Sequence, residues 1–184
     1  MRPLLTLRPA RIADAEGIAH VYVEAWRTAY PGLIPTPILV RMSKRGQAGE
    51  WARTLLRRSF IESVQVAELP GGGVAGFGSC GEARDTGLPQ AGEIYTLYVL
   101  PEYQEKGVGR AVLLRLFDAL IDRGLDSAIT WVLTQNPARF FYEAMGGRRV
   151  AEKNERIGTA ILPQTGYGWD DLRLVPRRGD VRTE

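Results

Sequence analysis

Apolar residues recur along this chain in two rhythms, the 3.6-residue period of an amphipathic helix and the alternation or short unbroken run of a strand. The segment LLTLRPA, residues 4–10, reads as a short first strand. DAEGIAHVYVEAWRTAY predicts a helix over 14–30, with Asp14 as its N-terminal signal and Ile18, Val21, Tyr22 and Ala25 at helical spacing. PGLIP and Pro37 break it. QAGEWARTLLRRS, 47–59, predicts a second helix with Trp51, Leu55 and Leu56 on the buried side. SVQVAEL (63–69) and VAGFGSCG (74–81) read as strands joined by PGGG, a hairpin signature. ARDTGLPQAG then reads as a loop.

EIYTLYVL, 93–100, is rich in β-branched and aromatic residues and largely apolar on both faces, which predicts a central strand. Simple alternation puts Glu93, Tyr95, Leu97 and Val99 on one face. From 108 to 123 the rhythm is helical: Leu113, Leu116, Phe117 and Leu120 fall on one side, and Gly124 ends the run. SAITWVLT is a buried strand, and NPARFFYEAMGG a short helix with Asn136 as N-cap and Pro137 at its first position. RRVAEKNERIG and YGWDDLRLV read as the two last strands. The expected order is β-α-α-β-β-β-α-β-α-β-β, one domain over 1–175, with the tail 176–184 disordered. Strand 93–100, helix 108–123 and strand 127–134 form a parallel, right-handed βαβ crossover in an otherwise mixed sheet. Ligands of such sheets sit beyond the carboxyl ends of the parallel strands.

Composition narrows the chemistry. The chain has 184 residues, 45% hydrophobic and 24% charged, ordinary for a globular protein. Its 24 basic and 21 acidic residues are interspersed and leave a net charge of +3, which fits a local anion site rather than a nucleic-acid partner. Cys80 is the single cysteine and His20 the single histidine, so neither a disulfide nor a Cys/His zinc cluster can form, and no carboxylate spacing suggests another metal. No apolar run reaches membrane-spanning length, and the N-terminus does not read as a signal peptide; a cytoplasmic protein without a membrane partner is expected.

The stretch QEKGVG, 104–109, lies where strand 93–100 turns into the next helix. Gly107 and Gly109 remove side chains where a ligand approaches the backbone, and the first helical N–H groups point to one place, a cradle for a diphosphate without metal. A plain strand–turn–helix connection with convenient glycines explains the same hexapeptide.

Together, EIYTLYVLPEYQEKGVGRAVL and the later NPARFFYEAMGG resemble the GCN5-related N-acetyltransferase (GNAT) superfamily, as does the opening RPARIADAEGIA. The resemblance is to bacterial members of unassigned substrate. It implies an α+β (mixed α/β) fold: a central mixed, mostly antiparallel sheet of about six or seven strands flanked by about four helices. It also implies acetyl-CoA as co-substrate, a small-molecule or peptide amine as acceptor, and homodimers among its members. The loop Gln104, Glu105, Lys106, Gly107, Val108, Gly109 and Arg110 matches the segment whose amides bind the coenzyme A pyrophosphate. Leu97 and Val99 match positions whose backbone pairs with pantetheine in a gap between splayed strands, with the Val99 N–H as polariser of the thioester. Asn136 matches an asparagine that contacts the same arm, though its capping position explains it equally well. Tyr142 matches a tyrosine placed to protonate the departing thiolate; a core aromatic beside Phe140 and Phe141 is the plainer reading. Glu93 matches a general base of some members, against an exposed glutamate at a strand start. A base has a purpose, because an alkyl ammonium of pKa about 10.4 costs about 4.6 kcal/mol to neutralise at pH 7.

AWRTAYPGLIP, 25–35, falls where the resemblance implies the acceptor pocket, and it too looks like segments of such bacterial members. Trp26, Tyr30 and Leu33 offer an aromatic or apolar wall, and Arg27 an anion contact. Trp26 and Tyr30, four apart, also suit simple packing of a helix end. His20 reads as a surface residue, Cys80 as a poor nucleophile among small residues, and Tyr167 and Trp169 as channel or packing residues. The leading expectation is direct acetyl transfer to a primary amine. The alternatives are a non-catalytic acyl-CoA-binding module on the same fold and a nucleotide-binding P-loop protein, the latter disfavoured by the missing G-K-[ST].

Overall fold

The computed structural model describes residues 5–57 and 62–177. Its strands are β1 (Thr6–Pro9), β2 (Ser63–Glu68), β3 (Val74–Glu82), β4 (Gly92–Val99), β5 (Ala128–Leu133), β6 (Arg148–Ile157) and β7 (Ala160–Trp169). They form one sheet in the order β1-β2-β3-β4-β5-β7-β6, and only β4 and β5 are parallel. Helices α1 (Ala15–Ala29), α2 (Thr36–Arg41) and α3 (Lys44–Leu56) precede β2. Helix α4 (Val108–Ile121) is the crossover and α5 (Ala138–Ala144) follows β5. This is the expected mixed α+β sheet, with β4 at its centre.

Helices cover both faces. On one, Val112, Leu113, Leu116, Phe117 and Leu120 of α4 are wholly buried against Ala67, Cys80, Ile94 and Ala128. On the other, Ile18 and Val21 of α1 meet Val66 and Phe77, with Trp51 and Leu55 of α3 packed alongside. Val66 and Ala67 are neighbours in β2 and belong to opposite cores, as the two-residue period requires. Each large apolar side chain so buried contributes about 1.5–3 kcal/mol. Helix α4 lies close on β3 because Gly78 leaves room: a Cβ there would sit 2.6 Å from Leu116 Cδ1 and 2.8 Å from the Thr96 carbonyl.

Several expectations need correction. Pro37 does not end a helix; it lies in the first turn of α2, where proline's missing N–H costs nothing. Helix α3 starts earlier than expected, because Ser43 caps it by accepting from Gly46 N at 3.0 Å. Leu56 is 61% exposed rather than buried. Helix α3 ends at Leu56 with Arg57 extended, and the last two residues of the expected helix, 58–59, lie outside the described residues. The last strand is 160–169 rather than 167–175: β6 and β7 form a hairpin turned at Gly158 (φ 62°), and Leu172–Leu174 is a 3-10 turn. Asp14 marks the start of α1 without capping it. Its carboxylate accepts from Arg11 N at 2.6 Å and is clamped by Arg8, which also holds Glu68. Of the tail, Pro176 and Arg177 dock on α4, with Arg177 Nη1 2.8 Å from Asp118, and the remainder lies outside the described residues.

Candidate active site

Strands β4 and β5 pair over three residues, Gly92–Ile94 with Ala128–Thr130, and then part. A β-bulge starts the divergence. Cys80 faces Ile94 and Ser79 faces Thr96, so Tyr95 has no partner on β3. The extra residue also breaks the simple alternation expected for β4. Ile94, Leu97 and Val99 pack on the α4 side, while Tyr98 packs with Phe77 on the α1 side. Glu93 therefore does not share a face with Leu97 and Val99.

Past the bulge, the edge of β4 toward β5 carries free backbone. Leu100 N donates to the Ala75 carbonyl of β3 at 2.9 Å. Alternation then turns the N–H and C=O of Val99, and of Leu97 two residues earlier, into the gap. The Val99 carbonyl accepts from Gln104 Nε2 at 3.1 Å. A cavity of about 150 Å³ fills this gap, walled by Tyr95–Val99, Thr130–Val132, Asn136 and Tyr142.

The glycine turn stands at one end of the gap. Gly107 adopts φ 82° at the N-terminus of α4, a left-handed conformation that glycine enters freely. Glu105 is also left-handed at φ 57°, a costlier choice for a side chain with a Cβ. Ala111 N makes the first helical bond, to the Gly107 carbonyl, so the N–H groups before it open outward. A Cβ on Gly109 would meet its nearest neighbours, Phe141 and Val99, no closer than 3.6 Å. Protein packing does not demand a glycine there, whereas a ligand lying on the backbone would. Lys106 Nζ donates to the Glu102 carbonyl, and Arg110 donates to the Pro176 carbonyl at 2.7 Å and lies against the Met145 sulfur. Both cations are thus turned to protein acceptors, while the turn itself offers backbone N–H groups and the helix dipole.

Helix α5 supplies Tyr142. Of its three consecutive aromatics, Phe140 is 58% exposed under the Arg139 guanidinium, Phe141 is half-buried, and Tyr142 is buried with its hydroxyl beside Thr130. Burial, with a smaller contribution from Tyr30, pushes the Tyr142 phenol up, so it stays protonated at neutral pH. Helix α5 begins one residue later than expected, so Pro137 rather than Asn136 is its N-cap; the Asn136 Oδ1 accepts from Ala138 N, the first residue of the helix, at 2.9 Å.

At its other end the gap opens into a cavity of about 800 Å³. Four residues line both spaces: Tyr30, Tyr95, Tyr98 and Trp131. The larger cavity has an aromatic wall in which Tyr98, Tyr22, Trp26 and Tyr30 touch in that order, with ring centroids 4.8–5.3 Å apart. Its floor is the sheet, with Trp131 from β5, Gln164 from β7 and Lys153, Glu155 and Ile157 from β6. Glu93 lines it too and is neither exposed nor free. Arg84 Nε and Nη2 both reach its Oε1, and Arg84 N donates to its Oε2 at 2.9 Å. The Arg84 guanidinium also covers the Tyr95 ring at 4.7 Å, and its pKa is raised chiefly by the bond to Glu93.

Trp26 and Tyr30 line the larger cavity. Arg27 does not: its guanidinium donates to the Met42 carbonyl at 3.0 Å and ties α1 to the end of α2. Tyr167 and Trp169 are packing residues, bonded to Glu143 Oε1 and the Met145 carbonyl, both at 2.9 Å. His20 is exposed. Sequence reading did not reach Arg84, Tyr98, Trp131 or Lys153. Only the period-two set Lys153, Glu155 and Ile157 in β6 carried a signal, and it reads equally well as an edge strand's solvent face.

A bulged central strand that leaves its parallel neighbour, a glycine turn into the crossover helix and an aromatic chamber beyond the gap thus lie along one line of the sheet. The family model described as "Acetyltransferase (GNAT) family" matches residues 23–147, and the chain belongs to that family. It is 37% identical to the uncharacterized N-acetyltransferase YuaI of Bacillus subtilis, over 94% of this chain and 96% of that one. It is 31% identical to the L-amino acid N-acyltransferase MnaT of Escherichia coli, over 98% of this chain and 97% of that one. Among solved structures, yncA from Salmonella typhimurium with its cofactor acetyl-CoA superimposes with a TM-score of 0.64 at 25% identity, covering 92% of this chain and 94% of that one. No described helix is long and apolar enough to cross a membrane.

Proposed function

We propose that this protein transfers the acetyl group of acetyl-CoA directly to a primary amine of a small molecule or peptide. The observation that carries the reading is the β4–β5 gap, which joins the glycine turn at one end to the aromatic cavity at the other. In this reading the backbone of 104–110 and the start of α4 hold the diphosphate, and Leu97 and Val99 pair with the pantetheine arm as an added strand. Asn136, at the wall of the gap, contacts the same arm while its Oδ1 holds Ala138 N. The Val99 N–H polarises the thioester carbonyl.

The acceptor nitrogen enters from the larger cavity and attacks the carbonyl carbon. The new C–N bond forms, the C–S bond breaks, the amine loses a proton and the sulfur gains one. Tyr142 supplies that second proton: its raised pKa keeps the phenol intact until charge develops on sulfur. Glu93 takes the amine proton through water. Both of its oxygens already accept from Arg84, so an acceptor that arrives as its minor neutral form, at a cost of about 4.6 kcal/mol, asks least of it. Cys80 takes no part, so no acyl-enzyme forms.

Release of free thiol from acetyl-CoA, followed across a panel of amines, tests the reading. Tyr142→Phe should lower kcat about a hundredfold or more while leaving acetyl-CoA affinity within about twofold. Equal losses in both would make Tyr142 a structural residue, and tight coenzyme binding without transfer to any amine would make the protein a binding module.

A further inference from the structure

Lys153 stands out in the acceptor cavity. Arg84, the other cation on its lining, is committed to Glu93. No ion pair joins Lys153 to a carboxylate among the described residues; its ammonium lies 4.0 Å from the centroid of Trp131. That contact fixes the position of an otherwise flexible charge. Glu155, two residues along the same face of β6, acts electrostatically on Arg84. Trp131 is also one of the four residues shared by the cavity and the gap, so the ammonium stands one ring from the point where acetyl would be delivered. The Trp131 Nε1 is buried without a hydrogen-bond partner. An unpaired buried donor is rare, and an acceptor oxygen brought near it relieves the cost. The aromatic wall of Tyr22, Trp26, Tyr30 and Tyr98 lies in the same chamber.

We infer that Lys153 is a specificity-determining residue that binds a carboxylate of the acceptor, while the aromatic wall takes an apolar or aromatic side chain. The acceptor class is then an amino acid with a large apolar side chain rather than a polyamine or a simple alkylamine. Asp85, Glu93 and Glu155 line the cavity as well, so the discrimination against a polyamine is local: an ammonium placed beside Trp131 would meet the like charge of Lys153. The inference rests on the acetyl-transfer reading of the same site, and its test separates the two.

The binding arm needs no turnover. Product-like N-acetylphenylalanine and its C-terminal amide are titrated into the protein by calorimetry. The acid should bind about tenfold tighter than the amide, as expected for a charge-assisted contact. Lys153→Gln should remove that difference by weakening the acid alone, and Lys153→Arg should keep most of it. Equal affinity of acid and amide, no binding of either, or a Lys153→Gln variant that weakens both alike would overturn the inference. The transfer arm follows thiol release with phenylalanine, phenylalaninamide and phenethylamine. Selective binding of the acid without any thiol release would sink the transfer reading and leave the subsite standing. Thiol release at equal kcat/KM from all three amines would sink the subsite and leave transfer standing.

Discussion

Cys80 lies in β3 beneath α4, with its Sγ 3.6 Å from the Leu116 carbonyl, and burial pushes the thiol up to about 12. At pH 8 it carries almost no thiolate, which is the reactive form. Iodoacetamide at that pH should leave the folded protein unmodified and its thiol-release activity unchanged; mass spectrometry should find labelling of Cys80 only in denaturant. Rapid inhibition of the native protein would contradict the burial. That much could be read from the sequence, since a cysteine among small residues in a strand has nothing to activate it. Glu93 and Arg27 could not be read so. Each has a partner distant or irregularly placed in the chain, Arg84 and the Met42 carbonyl, and no periodicity announces a side chain's bonding partner.

The elements with the strongest periodicity are the ones that emerge where the sequence puts them. Helix α4 buries its four expected apolar residues completely, because an unbroken 3.6-residue stripe admits one orientation on a sheet. The failures cluster where one residue has two meanings. Pro37 breaks a helix interior but suits a first turn, and Pro163 and Gly166 hide β7 because both weaken a strand's signature. The bulge at Tyr95 is invisible in sequence, since nothing in EIYTLYVL says which residue β3 will leave unpaired. It decides the site all the same, because every side chain after it changes face. Gly78 tests how closely the neighbouring elements fit. Gly78→Ala forces a methyl against the Thr96 carbonyl as well as the Leu116 side chain, and the backbone atom cannot swing aside. The variant should lose about 1–3 kcal/mol, seen as a lower urea midpoint at unchanged m-value. An unchanged midpoint would mean that α4 rides on β3 with slack.

At the scale of the molecule, the sheet and its single parallel pair follow from element order, as does the position of the glycine turn at the carboxyl end of β4. The glycine turn was therefore legible: it is backbone, and backbone geometry follows from topology. The larger cavity was not. It gathers side chains from α1, the loop after β3, β5, β6 and β7, and only the assembled sheet brings Trp26, Arg84, Trp131 and Lys153 to one chamber.

The parting of β4 from β5 leaves an edge strand in the interior of a sheet. Exposed edges recruit other chains, yet this one faces a slot with α1 and α5 residues in its walls. The ligand-free protein is then two partial sheets sharing a three-residue seam and the helices that span it. A cofactor laid into the slot would act as the missing strand and suture them. Amides of Leu97 and Val99 should exchange their hydrogens quickly in the free protein and slowly with coenzyme A bound. At a ligand excess of about 100 Kd, global stability should rise by about 2.7 kcal/mol. If those amides are already protected in the free protein, the seam is closed by something other than ligand, and the slot is not where the coenzyme lies.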